Sequence, residues 1–295
     1  MNLKPTINAT KNHKINRRDF IKRSFYYIAG IIGIPTLTGA YSRWVEPYQL
    51  ETTKIDITLP YLPASFHNFT ICHFSDLHLG FHLEIDDLSP LIYAIQNEVP
   101  DCICFTGDLF DKAPSKTKKT AKLLSQLEAP YGKYAVLGNH DNWSNQLSVK
   151  RVLKKAGFEL LLNEHISLNR HTDNLYIAGI DDPWVGEADI RKALGGIPKD
   201  ACTILLSHEP DFADEFYRYP IDLQLSGHSH GGQIRIPLVG ALYTPPYSNK
   251  YPYGLNRVKG SHYQVYTTRG IGMTRMPVRF HCKPELTIIT LKCVD

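Results

Sequence analysis

The sequence contains no Cys-x-x-Cys pair, which removes a structural zinc ribbon from consideration. Its six cysteines are few for a chain of 295 residues, and a chain of that length buries a full core without disulfide staples. Cys102 and Cys104 stand two apart in an apolar run, so they are expected on one face of a strand as reduced, buried thiols. Internal repeats and low-complexity tracts are absent. No apolar run reaches the ~20 residues that a spanning helix needs, and the one from Phe25 to about Tyr41 falls short. The main body also lacks basic excess. The net charge is +4, but residues 1–23 hold seven basic residues against Asp19 alone, or +6, which leaves −2 for Ser24–Asp295. A nucleic-acid partner is therefore not expected.

What the N-terminus does have is a pattern. Asn16-Arg17-Arg18-Asp19-Phe20-Ile21-Lys22 precedes the apolar run, and basic residues followed by a short apolar segment form an export signal. Adjacent arginines followed by Phe and an aliphatic residue resemble the twin-arginine signal, which a receptor reads. Residues 1–50 are expected to be such a signal, or an uncleaved membrane anchor, with a linker. The twin-arginine export machinery is then a partner. The protein would lie in the periplasm, the cell wall or at the outer face of the inner membrane.

Beyond position 50 the pattern alternates. Strand-like runs at Thr53–Leu59, Phe69–Phe74, Cys102–Thr106 and Tyr134–Leu137 are interleaved with helical spacing at Leu88–Glu98, Lys116–Leu127 and Gln146–Ala156. Strands dominate later, at Leu160–Leu162, Ile166–Leu168, Leu175–Ala178, Cys202–Leu206, Leu223–Leu225, Val265–Thr268 and Leu286–Leu291, with a helix over Ala188–Leu194. This order predicts an α/β sandwich, with sheets face to face and helices outside.

Five of the runs end in a group that can bind metal. They lead into Asp76-Leu77-His78, Gly107-Asp108, Gly138-Asn139-His140-Asp141, Ser207-His208-Glu209 and Gly227-His228-Ser229-His230. Ligands in α/β sheets gather beyond the carboxyl ends of strands, so these segments are expected to converge. Gly107-Asp108 alone is an ordinary turn, and His208 alone an ordinary core histidine. Two histidines among Gly227, Gly231 and Gly232 are harder to explain as packing, because glycine there sacrifices strand and helix propensity. Together the donors form a mixed oxygen and nitrogen set that suits manganese, iron or zinc better than magnesium or calcium. Two carboxylates against two divalent ions leave positive charge that attracts phosphate.

These five blocks, in this order, resemble the calcineurin-like metallophosphoesterase family over about 225 residues from Phe69 onward. Ser207–Asp211, Leu225–Gln233, Tyr243–Tyr247 and Thr268–Gly272 resemble its bacterial, twin-arginine-exported phosphodiesterase branch, with Ser229 where that branch often has Thr. The resemblance implies a four-layer sandwich of two mixed β-sheets flanked by helices, with 51–295 as the catalytic domain. It implies two divalent metal ions: Asp76, His78, Asp108 and His230 on one, Asp108, Asn139, His208 and His228 on the other. His140 would then serve the substrate, and a metal-activated hydroxide would hydrolyse a phosphodiester or pyrophosphate bond. Similar enzymes cleave UDP-2,3-diacylglucosamine, which suggests a lipid-linked or nucleotide-sugar substrate, contact with a membrane surface, and a place in lipid A biosynthesis. Arg269, Arg275 and Arg279 are candidates for a second phosphate, Arg269 foremost. A metallo-hydrolase of another ester, or a silent metal-binding module, is the alternative.

Overall fold

The computed structural model describes residues 16–294, so Lys4, Lys11 and Lys14 of the basic N-terminus lie outside it. The chain forms two units, Met1–Tyr41 and Ser42–Asp295. The first helix, α1, spans Arg17–Trp44. At 28 residues it is about 42 Å long. Length is therefore not what it lacks. Its glycines, threonines and arginines dilute the apolar content, and among the described residues no helix is long and apolar enough to cross a membrane.

The body continues with β1 (Glu51–Leu59), β2 (Thr70–Phe74), α2 (Ser89–Glu98), β3 (Cys102–Phe105), α3 (Thr117–Leu124), β4 (Lys133–Ala135), α4 (Asn139–Trp143), α5 (Gln146–Lys155) and β5 (Glu159–Leu160). Then follow β6 (Glu164–Arg170), β7 (Asp173–Gly179), α6 (Ile190–Ala193), β8 (Thr203–Leu206), α7 (Ala213–Phe216) and β9 (Leu223–Ser226). Last come β10 (Arg235–Ile236), β11 (Gly240–Ala241), β12 (Gly254–Arg257), β13 (Gln264–Thr267) and β14 (Glu285–Cys293). One six-stranded sheet has the order β1-β14-β2-β3-β4-β5, and the other β12-β13-β9-β8-β7-β6. Both are mixed. β14 runs antiparallel to β2 in the first, and β12–β13 and β6–β7 are antiparallel in the second.

The layers follow from side-chain alternation. In β2, Ile71 faces the core between the sheets while Cys72 and Phe74 face the helices. Cys102 and Cys104 share the inter-sheet side, as their spacing predicted, and all six cysteines are free. Ile71, Ile289 and Leu291 of one sheet meet Ile177, Ile204 and Leu225 of the other. Helices α2, α3 and α5 cover the first sheet through Leu91, Ile95, Leu124 and Val152. Ile190 of α6 and Phe216 of α7 cover the second. The result is helix, sheet, sheet, helix.

Several short elements are not expected from the sequence, among them α7 and β12. Gly138 precedes another, the short helix α4, which opens at Asn139. The Tyr- and Pro-rich segment after the histidine pair is preceded by a two-stranded hairpin, β10–β11, too short to register as alternation.

Candidate metal centre

β2, β3 and β4 are parallel neighbours, as are β8 and β9 in the other sheet. Their carboxyl ends deliver Asp76, Asp108, Asn139, His208 and His228 to one rim. Asp76 and His228, 152 positions apart, meet there: the His228 N–H donates to both Asp76 oxygens at 3.1 Å. Sharp turns follow the strands. Asp76, His78, Asp108, His228 and His230 all have positive φ, between 42° and 67°. Such backbone costs on the order of 1–3 kcal/mol per residue and clusters at functional sites. Close approach is built in as well. A Cβ on Gly138 would lie 2.7 Å from the His208 ring, and one on Gly270 would lie 2.8 Å from Asp76 Cβ at a φ of +66°.

Three donor groups result. Asp76, His78 and His230 form one, Asp108, His208 and His228 another, and His78, Asp108 and His140 a third, each able to hold a metal ion. Asp108 lies between the first two, with Oδ2 3.4 Å from His78 Nε2 and 3.1 Å from His208 Nε2. His230 Nε2 is 3.4 Å from Asp76 Oδ1 and 3.0 Å from His78 Nε2. The second of these distances sets two ring nitrogens face to face. His208 Nε2 makes no hydrogen bond despite its short distance to Asp108, and the buried Asn139 Oδ1 has no partner. A cation between the donors would satisfy these atoms.

Neighbouring groups set the tautomers. His208 Nδ1–H donates to the Thr106 carbonyl at 2.6 Å, which frees Nε2 for the cluster. His228 Nε2–H donates to the Pro246 carbonyl at 2.9 Å, which frees Nδ1. His78 Nδ1 is 3.3 Å from Asp111 Oδ1. Burial lowers His78, but the Asp111, Asp76 and Asp108 carboxylates raise it to about 9. His208 rises well above its usual range against burial, through Asp108 and Asp76. Burial and the nearby His208 push His228 down to about 3, and burial lowers His230 too. The carboxylates thus demand positive charge beside imidazoles held neutral, and a divalent cation meets both demands.

His140 is only partly buried, and its ring lies edge-on to His78 with centroids 4.5 Å apart. Its N–H donates to Asp108 Oδ1 at 2.8 Å, and its Nδ1 pairs with the Asp111 carbonyl at 2.9 Å. Asp111 thus supports two site histidines, yet its place three residues after Asp108 carried no sequence signal. Asp141 does not orient His140. It accepts N–H bonds from Asp108, Leu109 and Gly138, so it pins the β3 loop to α4. Burial and the charge of Asp108 raise its pKa to about 7.

Above the cluster is a cavity of about 310 Å³. His78, Asp108, Asn139, His140, His228 and His230 line its base. Trp143, Trp184, Ile234, Leu242, Tyr243 and Met276 line its sides, and Arg275 is the one arginine or lysine in its lining. Arg269 is not among the lining residues. Its guanidinium is 2.6 Å from Glu51 and 3.1 Å from Glu285. Arg279 is fully buried and donates to the carbonyls of Arg269, Gly270 and Cys282. Two of the three candidate arginines therefore hold the loop, and Arg275 faces the cavity with its Nη1 2.6 Å from the Tyr243 hydroxyl.

Paired His and Asp donor groups at the strand ends of an α/β sandwich define a metal-dependent hydrolase class. Residues 69–232 match the calcineurin-like phosphoesterase family, and the chain belongs to it. It is 39% identical to the metallophosphoesterase YkuE of Bacillus subtilis, over 96% of this chain and 99% of that protein. It is 31% identical to the phosphodiesterase YaeI of Escherichia coli, over 94% of this chain and 99% of that one. The UDP-2,3-diacylglucosamine pyrophosphatase LpxG of Chlamydia trachomatis is 27% identical, over 88% of this chain and 94% of its own length. The chain is a phosphohydrolase.

Proposed function

We propose that the enzyme hydrolyses a phosphodiester or pyrophosphate bond in a substrate that carries a large apolar part, lipid-linked or a lipidated nucleotide sugar such as UDP-2,3-diacylglucosamine. One observation supports this most: the donor clusters line a cavity whose other walls are mostly aromatic and aliphatic, with Gln233, Thr274 and Arg275 among the few polar groups. Ligand sites of this build bind apolar groups by contact and orient them by a few polar groups.

In this reading Asp76, His78, Asp108 and His230 hold one divalent ion, and Asp108, Asn139, His208 and His228 the other. Such a pair supplies a water of lowered pKa and neutralises phosphate charge. The chain's own residues do the rest. His140, anchored at Nδ1 by Asp111, turns its Nε2 to the substrate and protonates the leaving oxygen. Arg275, braced by Tyr243, meets a second anionic group, in preference to Arg269. Trp143 and Trp184, with ring centroids 5.2 Å apart, wall off water. The Asn16–Lys22 motif supports export of the folded enzyme through the twin-arginine route.

The test is a substrate panel on the purified chain loaded in turn with manganese, iron and zinc. It would hold a chromogenic diester, UDP-2,3-diacylglucosamine, a phospholipid, a cyclic nucleotide and a carboxylic ester. Turnover of lipidated phosphate esters well above the cyclic nucleotide is expected. Activity confined to the carboxylic ester, or to nothing, would sink the reading.

A further inference from the structure

Beside the cavity the β10–β11 hairpin turns apolar side chains outward. Arg235 pairs with Ala241 and Ile236 with Gly240, and the Val239 N–H closes the turn on the Ile236 carbonyl at 3.1 Å. Leu238, the second central residue of that turn, has φ +69°, where glycine or asparagine is the unstrained choice. A large apolar side chain is nonetheless kept there, 108% exposed, with Val239 beside it 70% exposed. The hairpin is braced at its base and uncovered at its tip. Arg235 N–H donates to the Phe280 carbonyl at 2.9 Å, and the Arg235 guanidinium stacks 3.7 Å from the Tyr253 ring. Exposed apolar surface continues through Leu242 to Tyr243 and Met276, which line the cavity.

A convex tip offers a partner chain no groove, whereas a bilayer asks for no shape complement. Tyrosines and arginines stand at its base, the residue types that sit at headgroup level. The region after Arg23 carries −2, so bulk attraction to anionic lipid does not drive adsorption. We propose that the β10–β11 tip inserts into the headgroup–acyl boundary of a bilayer and holds the cavity mouth at the lipid surface. This deepens the function proposed above and rests on its lipid-linked form.

The experiment is hydrogen exchange on the full chain, with and without phosphatidylcholine vesicles. Amides of residues 235–242 are expected to slow about tenfold on saturation, equally at about 0.1 and about 0.5 M NaCl. Because the readout is local, attachment through α1 does not imitate it. The double variant Leu238→Asp, Val239→Asp is expected to lose that protection, with vesicle affinity of the hairpin down roughly tenfold per side chain. Its turnover of a soluble chromogenic diester should stay within about twofold of the parent, which shows that it folds. Unchanged exchange over 235–242 with vesicles overturns the proposal. So does protection that appears only on concentrating the protein, which would signify a second copy. Protection without hydrolysis of any phosphate ester supports docking and sinks the catalytic reading, whereas hydrolysis without protection sinks docking alone.

Discussion

Asp108 is placed to serve two sites at once. Its Oδ1 accepts the His140 N–H, while Oδ2 faces His78 and His208, which belong to different donor groups. Burial raises its pKa, but the His208 and His78 imidazoles more than offset this and hold it well below the ordinary carboxylate range. Asp108→Ala is therefore expected to empty both metal positions. Elemental analysis of the purified variant checks this, and two ions per chain would rule out a shared ligand. His140→Ala should instead keep its metal and lose on the order of 10²–10⁴ in kcat on esters with poor leaving groups. Comparing poor and good leaving groups isolates the effect: an equal loss on both would remove the proton-donor role. Asp108 follows β3 and His140 lies in α4, next in sequence to Asn139, whose buried side-chain oxygen has no partner.

At the scale of elements, the segment from β13 to β14 braces the site from behind. Ile271 and Gly272 N–H groups donate to the Ser75 and Asp76 carbonyls, at 3.0 and 2.7 Å. Arg269 ties that segment to Glu51 on β1 and Glu285 on β14. Removing Arg269 strands the buried Glu285 carboxylate, at a cost on the order of 3 kcal/mol. Arg269→Ala should thus lower the urea midpoint and leave KM nearly unchanged. Arg275→Ala should raise KM roughly tenfold, the worth of one charge-assisted contact, with the midpoint unmoved. The reverse outcome would restore Arg269 as the substrate arginine. Burial raises the Glu285 pKa, but Arg269 outweighs it, so the folded value lies below 4.5. A carboxyl lowered on folding contributes stability that is full above about 4.5 and is lost as pH falls through the folded value. Urea midpoints between about pH 3 and 6 should therefore fall less steeply in Arg269→Ala than in the parent.

For the whole molecule, the body takes in residues before β1. The Ser42 carbonyl accepts from Arg279 N–H at 2.9 Å, Arg43 donates to the Pro277 carbonyl at 3.1 Å, and the buried Glu46 carboxylate accepts from Cys282 N–H at 2.5 Å. A chain beginning at Ser42 is expected to keep its thermal midpoint within about 2 °C. One beginning at Glu51 should melt at least about 5 °C lower, because Arg279 and Cys282 lose their partners next to the Gly270 loop. Calorimetry on both truncations measures the difference, and equal midpoints would show that these contacts carry no stability.

Residue order by itself determined the short apolar runs that make β2, β3, β4, β8 and β9, because a strand covered on both faces reads as a nearly continuous apolar run. It also determined which polar groups stand at the ends of those strands, since a strand stops where apolar residues give way to Gly, Ser and Asp. Tertiary structure decided the rest. Whether an arginine meets a ligand depends on the carboxylates folded against it, so Arg269 and Arg275 are alike in sequence and unlike in place. Asp111 and Asp141 act through contacts that chain spacing does not encode. Only the packing of two sheets brings Asp76 to His228, because their proximity is a property of the rim that both sheets share.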